Sequence, residues 1–412
     1  MRQQPSHILF IVIGVIYFFF NSFLLPEGLL YTTLLTPFFL VNLLQRKEAG
    51  IYAGFFLFTL ILGIVQYTYT GHLMAYMKSF ILLQCAAIFI LNAYAVINNG
   101  ADLQRLFKVL GSFNLVLMGI SIVFLFIPAL RHWTWWELAI SEGIAVFPRL
   151  KMFTYEASYY SLLIVPVFCY YFLRKVLLNG NWGLAFVGFI IGLMLSFSLG
   201  VLGGLLLSIF LLYAFNLNEL RKTINLNYVG LSVVVLLAIT VVAFKFYPDN
   251  PLFHRISNIS KGRDTSARGR TFDSFEIAWD LAKMNNKWLG IGLGQLKLIG
   301  RNYIIQYYSY NNMVGDVRIP NAVAETLNIY GITGIVVRFS IIIYLFIKTR
   351  VWQNYYRLLL FIFVFIYQFT GSFLFNIVEY MIWVLAFSPS VFPQFNRHHF
   401  IKEQDYESAI HK

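Results

Sequence analysis

Charged residues are scarce in this chain: Asp, Glu, Lys and Arg make up 12% of its 412 residues, about half the share in a soluble domain. That scarcity excludes a soluble enzyme and a nucleic-acid binder of the usual kind. Cysteine is almost absent. Cys85 and Cys169 both lie within apolar runs, so they give neither a disulfide framework nor a metal site. Outside the apolar runs there is no Asp-x-Asp pair and no histidine cluster to hold a divalent cation, and no cofactor is expected. What is abundant is apolar side chain. Hydrophobic residues reach 59%, and 42 Phe with 26 Tyr cannot stay solvated, which excludes intrinsic disorder.

A bilayer core of roughly 30 Å needs about 20 apolar residues per helix. The hydropathy pattern predicts an all-α polytopic membrane protein of one integral-membrane domain, 1–412, with about twelve spans. They fall at about 8–25, 29–44, 51–70, 76–97, 107–128, 154–173, 183–198, 200–215, 227–246, 321–346, 355–370 and 373–389. The run 183–215 is divided at Ser196-Phe-Ser-Leu-Gly200, where small and polar residues suggest a tight turn. The first apolar run lacks a small-residue cleavage site and is read as a retained span. With the N-terminus inside, inner segments carry fifteen Lys and Arg, and the short outer turns carry Lys78 alone. The positive-inside tendency then places both termini, including a tail at 390–412, in the cytoplasm.

Two predicted external segments are long, 129–153 and 247–320, and loops of such length usually carry function. The second holds ten basic and six acidic residues. It reads either as a solvated lid or as an outward-facing anion site. Within it Arg255, Lys261, Arg263, Arg268 and Arg270 are interleaved with Gly262 and Gly269. Guanidinium forks match phosphate oxygens two at a time, and glycines let the backbone approach an anion. A short amphipathic helix is expected over 271–283, with Phe272, Phe275, Trp279 and Ala282 on its apolar face and Asp273, Glu276, Asp280 and Lys283 in water. The glycines of Gly290-Ile-Gly-Leu-Gly294 suit a turn returning the loop to the bilayer; no βαβ unit supports a dinucleotide site. Tyr307, Tyr308 and the neighbouring Asn residues suit sugar rings, and equally the aromatic belt of a membrane interface. Trp133, Trp135 and Trp136 share that ambiguity.

Carboxylates Glu156, Glu325 and Glu379 all fall in the outer half of the predicted membrane. They suggest one cavity opening outward, or else structural ion pairs with Lys245 or a loop arginine. Arg338, deeper in span ten, is expected to snorkel to the inner surface.

Arg149-Leu-Lys-Met-Phe-Thr-Tyr-Glu156-Ala-Ser158 resembles the R-x-x-G-x-F-x-E-P-S segment of bacterial polysaccharide polymerases of the Wzy type. Ser196-Phe-Ser198-Leu-Gly200 is similar to their S-[KR]-[GS] turn. Arg268 through Gly294 resembles a stretch shared with O-antigen ligases. Pro320-Asn321 with Glu325, Gly331 and Gly334 is similar to their H-N-x-x-L helix start. The resemblance covers roughly 145–345. It departs at Ala157 (Pro in the family), Lys151 (Gly) and Leu199 (basic), and at Pro320, which stands where ligases place histidine. The last departure favours polymerase over ligase.

The resemblance implies a GT-C-like membrane glycosyltransferase acting without a metal. It would join polyprenyl-pyrophosphate-linked repeat units with inversion, at the outer face of the inner membrane. Arginines at a departing diphosphate stabilise the transition state more than the ground state. The expected pyrophosphate ligands are Arg268 and Arg270, then Arg255 and Arg149. The expected base is Glu156, with Glu325 as its alternative; a partly desolvated carboxylate suits that role. Tyr307, Tyr308 and Asn321 are the candidate glycan contacts. The expected partners are the lipid-linked glycan, the bilayer, a chain-length regulator and a flippase, with no nucleic acid. Ligation of finished glycan is the second reading and transport the third. Transporters typically show internal repeats and binding groups at mid-bilayer, and neither is evident here. Labelling of single cysteines from each side of the membrane should find residues 255–270 accessible from outside; cytosolic labelling there removes the scheme.

Overall fold

The computed structural model describes residues 7–26, 28–70, 72–137, 147–178, 180, 183–216, 254, 257, 258, 260, 261, 265–308 and 317–398. The expected ninth span, Lys245, Arg255 and Arg263 lie outside the described residues. The chain begins with α1 (His7–Val15), which passes into a π-helical turn at Ile16–Phe20, then α2 (Tyr31–Leu34) and α3 (Thr36–Leu44). Three long helices follow: α4 (Ala49–Thr70), α5 (Leu73–Asn98) and α6 (Leu103–Leu125). Helix α7 (Pro128–Thr134) leads into β1 (Trp135–Trp136), paired antiparallel with β2 (Arg149–Leu150). Next come α8 (Ala157–Leu178), α9 (Leu184–Ser196) and α10 (Leu199–Phe215). The segment read as external contributes α11 (Thr265–Arg270), α12 (Phe272–Asn285) and α13 (Ile299–Tyr308). Helices α14 (Ala322–Lys348), α15 (Tyr355–Tyr367) and α16 (Ile377–Phe387) complete the order.

Among the described residues, this is an all-α membrane protein apart from that two-residue strand pair. There, helices α4, α5, α6, α8 and α14 are long and apolar enough to cross a bilayer, and five further apolar helices are shorter. The predicted run 29–44 is divided because Pro37 occupies the first turn of α3, where its missing N–H costs nothing. Large apolar side chains face outward on the long helices, among them Ile64 at 61% and Val336 at 57% exposure. Hydrocarbon tails make that arrangement stable.

The main core lies among α1, α6, α8, α9, α10, α15 and α16. Helix α10 packs on α15, α9 on both α6 and α8, and α15 on α16. An aromatic knot ties one end: the Phe392 ring lies 4.6 Å from Tyr170, 4.8 Å from Tyr356 and 5.3 Å from Phe107. The start of the predicted tail, 390–398, is therefore part of the core. Pro166 interrupts the hydrogen-bond ladder of α8, and its own carbonyl accepts from the Tyr356 hydroxyl at 3.1 Å. The expected turn at 196–200 is present. The residue in left-handed backbone is Phe197 (φ 51°), while the Ser196 carbonyl is taken by Arg149 Nε at 3.0 Å.

Helix α14 is broken at Gly331, whose φ of 62° and ψ of −158° are not helical. In hydrocarbon every freed backbone group needs a partner. The segment 287–292 supplies them: Ile291 and Gly292 donate to the Asn328 and Ile329 carbonyls, and Ile332 and Thr333 donate to those of Lys287 and Trp288. Gln66 Nε2 adds bonds to Leu289 O at 2.7 Å and Ile329 O at 2.8 Å. Gly290, Gly292 and Gly294 all have positive φ (73°, 90°, 72°), a region open to glycine. A Cβ on Gly290 would overlap the Ile329 peptide, and one on Gly294 the Ala75 carbonyl. The expected glycine turn is thus a clasp on a broken helix. Gly290→Ala should cost about 1–2 kcal/mol in left-handed backbone alone, with the overlap in addition. Gly203, in α10 with open space around it, should accept alanine with a gain of up to about 1 kcal/mol. Thermal midpoints of the detergent-solubilised variants check the contrast.

Candidate active site

The site end of the molecule is organised by Asn321. Its side chain caps α14 by accepting from Ala324 N–H at 2.9 Å. Its amide donates to the carbonyls of Arg270 at 2.9 Å and Phe369 at 2.7 Å. Three chain segments therefore meet on one fully buried carboxamide: the end of α11, the start of α14 and the loop after α15. Asn321, expected as a glycan contact, is a structural tie.

That tie sets Arg270 above the 368–376 loop. Its guanidinium comes within 3.3 Å of where a Cβ would sit on Gly371, so the absence of a side chain there makes its seat. Tyr367 borders the same seat, and the charges of Arg270, Glu156 and Glu379 each act on it. The charge of Arg318 acts on Tyr155 and Glu325. Among the described residues, neither Arg270 nor Arg318 has a hydrogen-bonded or ion-paired side-chain partner. Glu156 stands just before the first turn of α8. Its carbonyl accepts from Thr154 Oγ1 at 3.0 Å, and its carboxylate accepts the Ser158 hydroxyl. The Glu-x-Ser spacing thus fixes the orientation of the carboxylate.

The other expected ligands have different surroundings. Arg268 is bonded through Nε to Asp273 Oδ1 at 2.8 Å, and that charged hydrogen bond raises its pKa. Arg149 is buried on the Ser196 carbonyl. Tyr307 and Tyr308 donate to Glu276 at 2.6 Å and Asp273 at 3.2 Å, and Tyr303 donates to Asp280 at 2.6 Å. Burial and then the bond to an acid push Tyr303 and Tyr307 up to about 12. These bonds explain a correction to α12. The expected apolar face is split: Phe272 and Trp279 turn outward, at 80% and 40% exposure, whereas Ala282 is buried and Phe275 packs on the core, and Asp273 is 3% exposed. The acids face α13 because its tyrosines supply donors, and Ile277, Ala278 and Leu281 fill the core below.

Glu325 and the deeper residues hold the loop. Glu325 Oε2 accepts from Leu374 N–H at 2.5 Å. Arg338 does not snorkel: it bonds Glu379 Oε1 at 2.8 Å, Gln368 Oε1 at 3.0 Å and Thr326 Oγ1 at 3.3 Å. Thr326 and Arg338 are twelve positions apart, about 18 Å along a straight helix. The bend at Gly331 brings them within reach. Among the described residues, Glu379 therefore pairs with Arg338; Lys245 lies outside them. Sequence reasoning missed Gln368 and Gly371 altogether and gave Arg318 no role. The one available signal was the position of Arg318 two residues before Pro320-Asn321.

Residues 184–339 match the family model Wzy_C, described as O-antigen ligase, which supports the O-antigen ligase and polymerase family. The chain is therefore a membrane protein of polysaccharide and glycan transfer. The matched region contains Arg268, Arg270, the glycine clasp, Asn321, Glu325 and Arg338; Glu156, Gly371 and Glu379 lie outside it. A comparison with curated proteins gives no match.

Removing one partner of a buried ion pair leaves an uncompensated charge. Arg338→Ala should therefore destabilise by about 3–5 kcal/mol, and Arg338→Met with Glu379→Gln should recover most of it. Denaturation of the purified variants measures both.

Proposed function

We propose that the protein polymerises polyprenyl-pyrophosphate-linked oligosaccharide repeat units at the outer face of the bacterial inner membrane. In this reading both termini are cytoplasmic, and a GT-C-like bundle of about twelve spans carries the site. One observation carries the proposal: an unpaired guanidinium, Arg270, is held at a glycine seat beside Tyr367, a side chain on which the charge of a hydroxyl-oriented carboxylate, Glu156, also acts. The first side chain suits a departing diphosphate and the second suits an acceptor hydroxyl.

In the proposed step the acceptor oxygen attacks the anomeric carbon of the donor sugar from the face opposite the diphosphate. Its proton passes to Glu156. The carbon–oxygen bond to the diphosphate breaks, and the electron pair leaves with the phosphate. Arg270 meets the charge that develops there, which is where a fixed cation lowers the barrier most. Arg268, already paired with Asp273, has the secondary part, and Arg149 braces the β2 segment. Glu325 becomes a support for the loop, because its carboxylate already accepts a backbone N–H. No step requires a bound metal.

A second reading, transfer of finished glycan to a lipid core or protein, draws support from the description of the matching family. The same residues would serve, with another acceptor. Pro320 in the place of the ligase histidine weighs against it.

The surface-glycan ladder of a deletion strain separates these readings. Loss of a polymerase leaves single repeat units on lipid, whereas loss of a ligase leaves unattached polymer. In the complemented strain Arg270→Ala should cut turnover by about 10²–10³ and abolish long chains. Arg268→Ala should do less. Glu156→Gln should cost at least about ten-fold, since positioned bases contribute roughly 10²–10⁴. Normal chain length in Arg270→Ala, with normal insertion, eliminates the arginine's role.

A further inference from the structure

A cavity of about 300 Å³ lies beside the Tyr155–Glu156 turn. Phe23, Trp133, Trp136 and Phe153 wall it, and Ser22, His132, Lys151, Thr154 and Tyr155 are its polar lining residues. The Phe23 ring lies 5.5 Å from Trp133 and 5.1 Å from Phe153, standing nearly upright on the latter at 88°. Lys151 Nζ is 5.9 Å from the centroid of Trp136. No acid lines the cavity, and the Lys151 ammonium has no carboxylate partner among the described residues. Its burial lowers its pKa, as expected of an ammonium short of counter-charge. Ser22 is 8% exposed, and its hydroxyl has no hydrogen-bond partner among the described residues. Leu24, in the lining, and Met152, next to Lys151 in the chain, hold left-handed backbone at φ 60° and 51°. Such conformations persist where the surroundings enforce them, often beside a ligand.

The aromatic residues do not act here as a membrane belt. Belt side chains present their rings to the lipid boundary. These rings line a concavity that also holds the Lys151 ammonium, which has no carboxylate partner among the described residues. An acyl chain would leave that ammonium without a counter-charge. A sugar ring meets aromatic faces with its C–H bonds and polar groups with its oxygens, and a carboxylate on it would complete the Lys151 ammonium. Thr154, another lining residue, donates to the Glu156 carbonyl, so the cavity adjoins the proposed base.

We propose that this cavity is an acceptor subsite for an acidic sugar of the glycan, its ring held by Trp133 and Trp136 and its carboxylate by Lys151. The proposal rests on the glycan-transfer reading of Glu156 and adds to it the class of sugar.

The test is binding by purified full-length protein in lipid nanodiscs, read by saturation-transfer NMR with methyl β-glucuronide and methyl β-glucoside. The glucuronide should bind about five-fold more tightly, as a partly shielded ion pair allows. Lys151→Met should abolish that preference and leave the glucoside unchanged; Lys151→Arg should keep it, which separates loss of charge from misfolding. Trp133→Ala should weaken both sugars. Equal binding of the two, binding of neither, or a preference surviving Lys151→Met overturns the subsite. Because turnover is not read, a failed titration beside an Arg270-dependent glycan ladder removes the subsite alone. A successful titration beside a normal ladder in Arg270→Ala removes the catalytic reading alone.

Discussion

Hydrogen bonding of the backbone where α14 breaks is the constraint on which the rest depends. A bilayer offers no water to a freed peptide group, so a mid-span interruption survives if protein fills it. Segment 287–292 does so with four backbone bonds, and Gln66 adds a side-chain bond to the freed Ile329 carbonyl. The filling segment must pass close to the helix, which explains glycine at 290, where any Cβ would collide with the Ile329 peptide; Gly294 answers instead to the Ala75 carbonyl of α5. The bend that results turns Arg338 toward Thr326, Gln368 and Glu379. The loop carrying Gly371 is held in turn, and Arg270 rests on it. A local demand for satisfied peptide groups thus extends to the proposed reaction centre.

Much of this was legible in the residues. The apolar runs marked α4, α5, α6, α8 and α14, and Ser196–Gly200 marked the break between α9 and α10. Arg270, Glu156 and Asn321 stand out in the sequence, and in the fold the Asn321 amide bonds the Arg270 carbonyl. The errors have physical causes. Periodicity assigned Phe272 and Trp279 to the inside of α12, because an acidic residue is ordinarily solvated. Nothing in a linear pattern showed that three tyrosines some thirty residues onward would donate to those acids. Arg338 was assigned to the inner surface by counting along a straight helix, and Gly331 made the count irrelevant.

The two neighbouring arginines of the expected cluster illustrate how a fold assigns different tasks to similar side chains. Arg268 faces Asp273 across one turn and takes part in the packing of α12 on α13. Arg270, two residues later, points the other way, toward a loop that offers it space and no acid. Composition counted them as equals; the direction of the backbone at the end of α11 does not.

Asn321 has a consequence beyond packing. Its two amide hydrogens are committed, one to the carbonyl of Arg270 and one to that of Phe369. The height of the guanidinium over its glycine shelf is thereby gauged like the jaws of a caliper, set by two backbone carbonyls from separate segments.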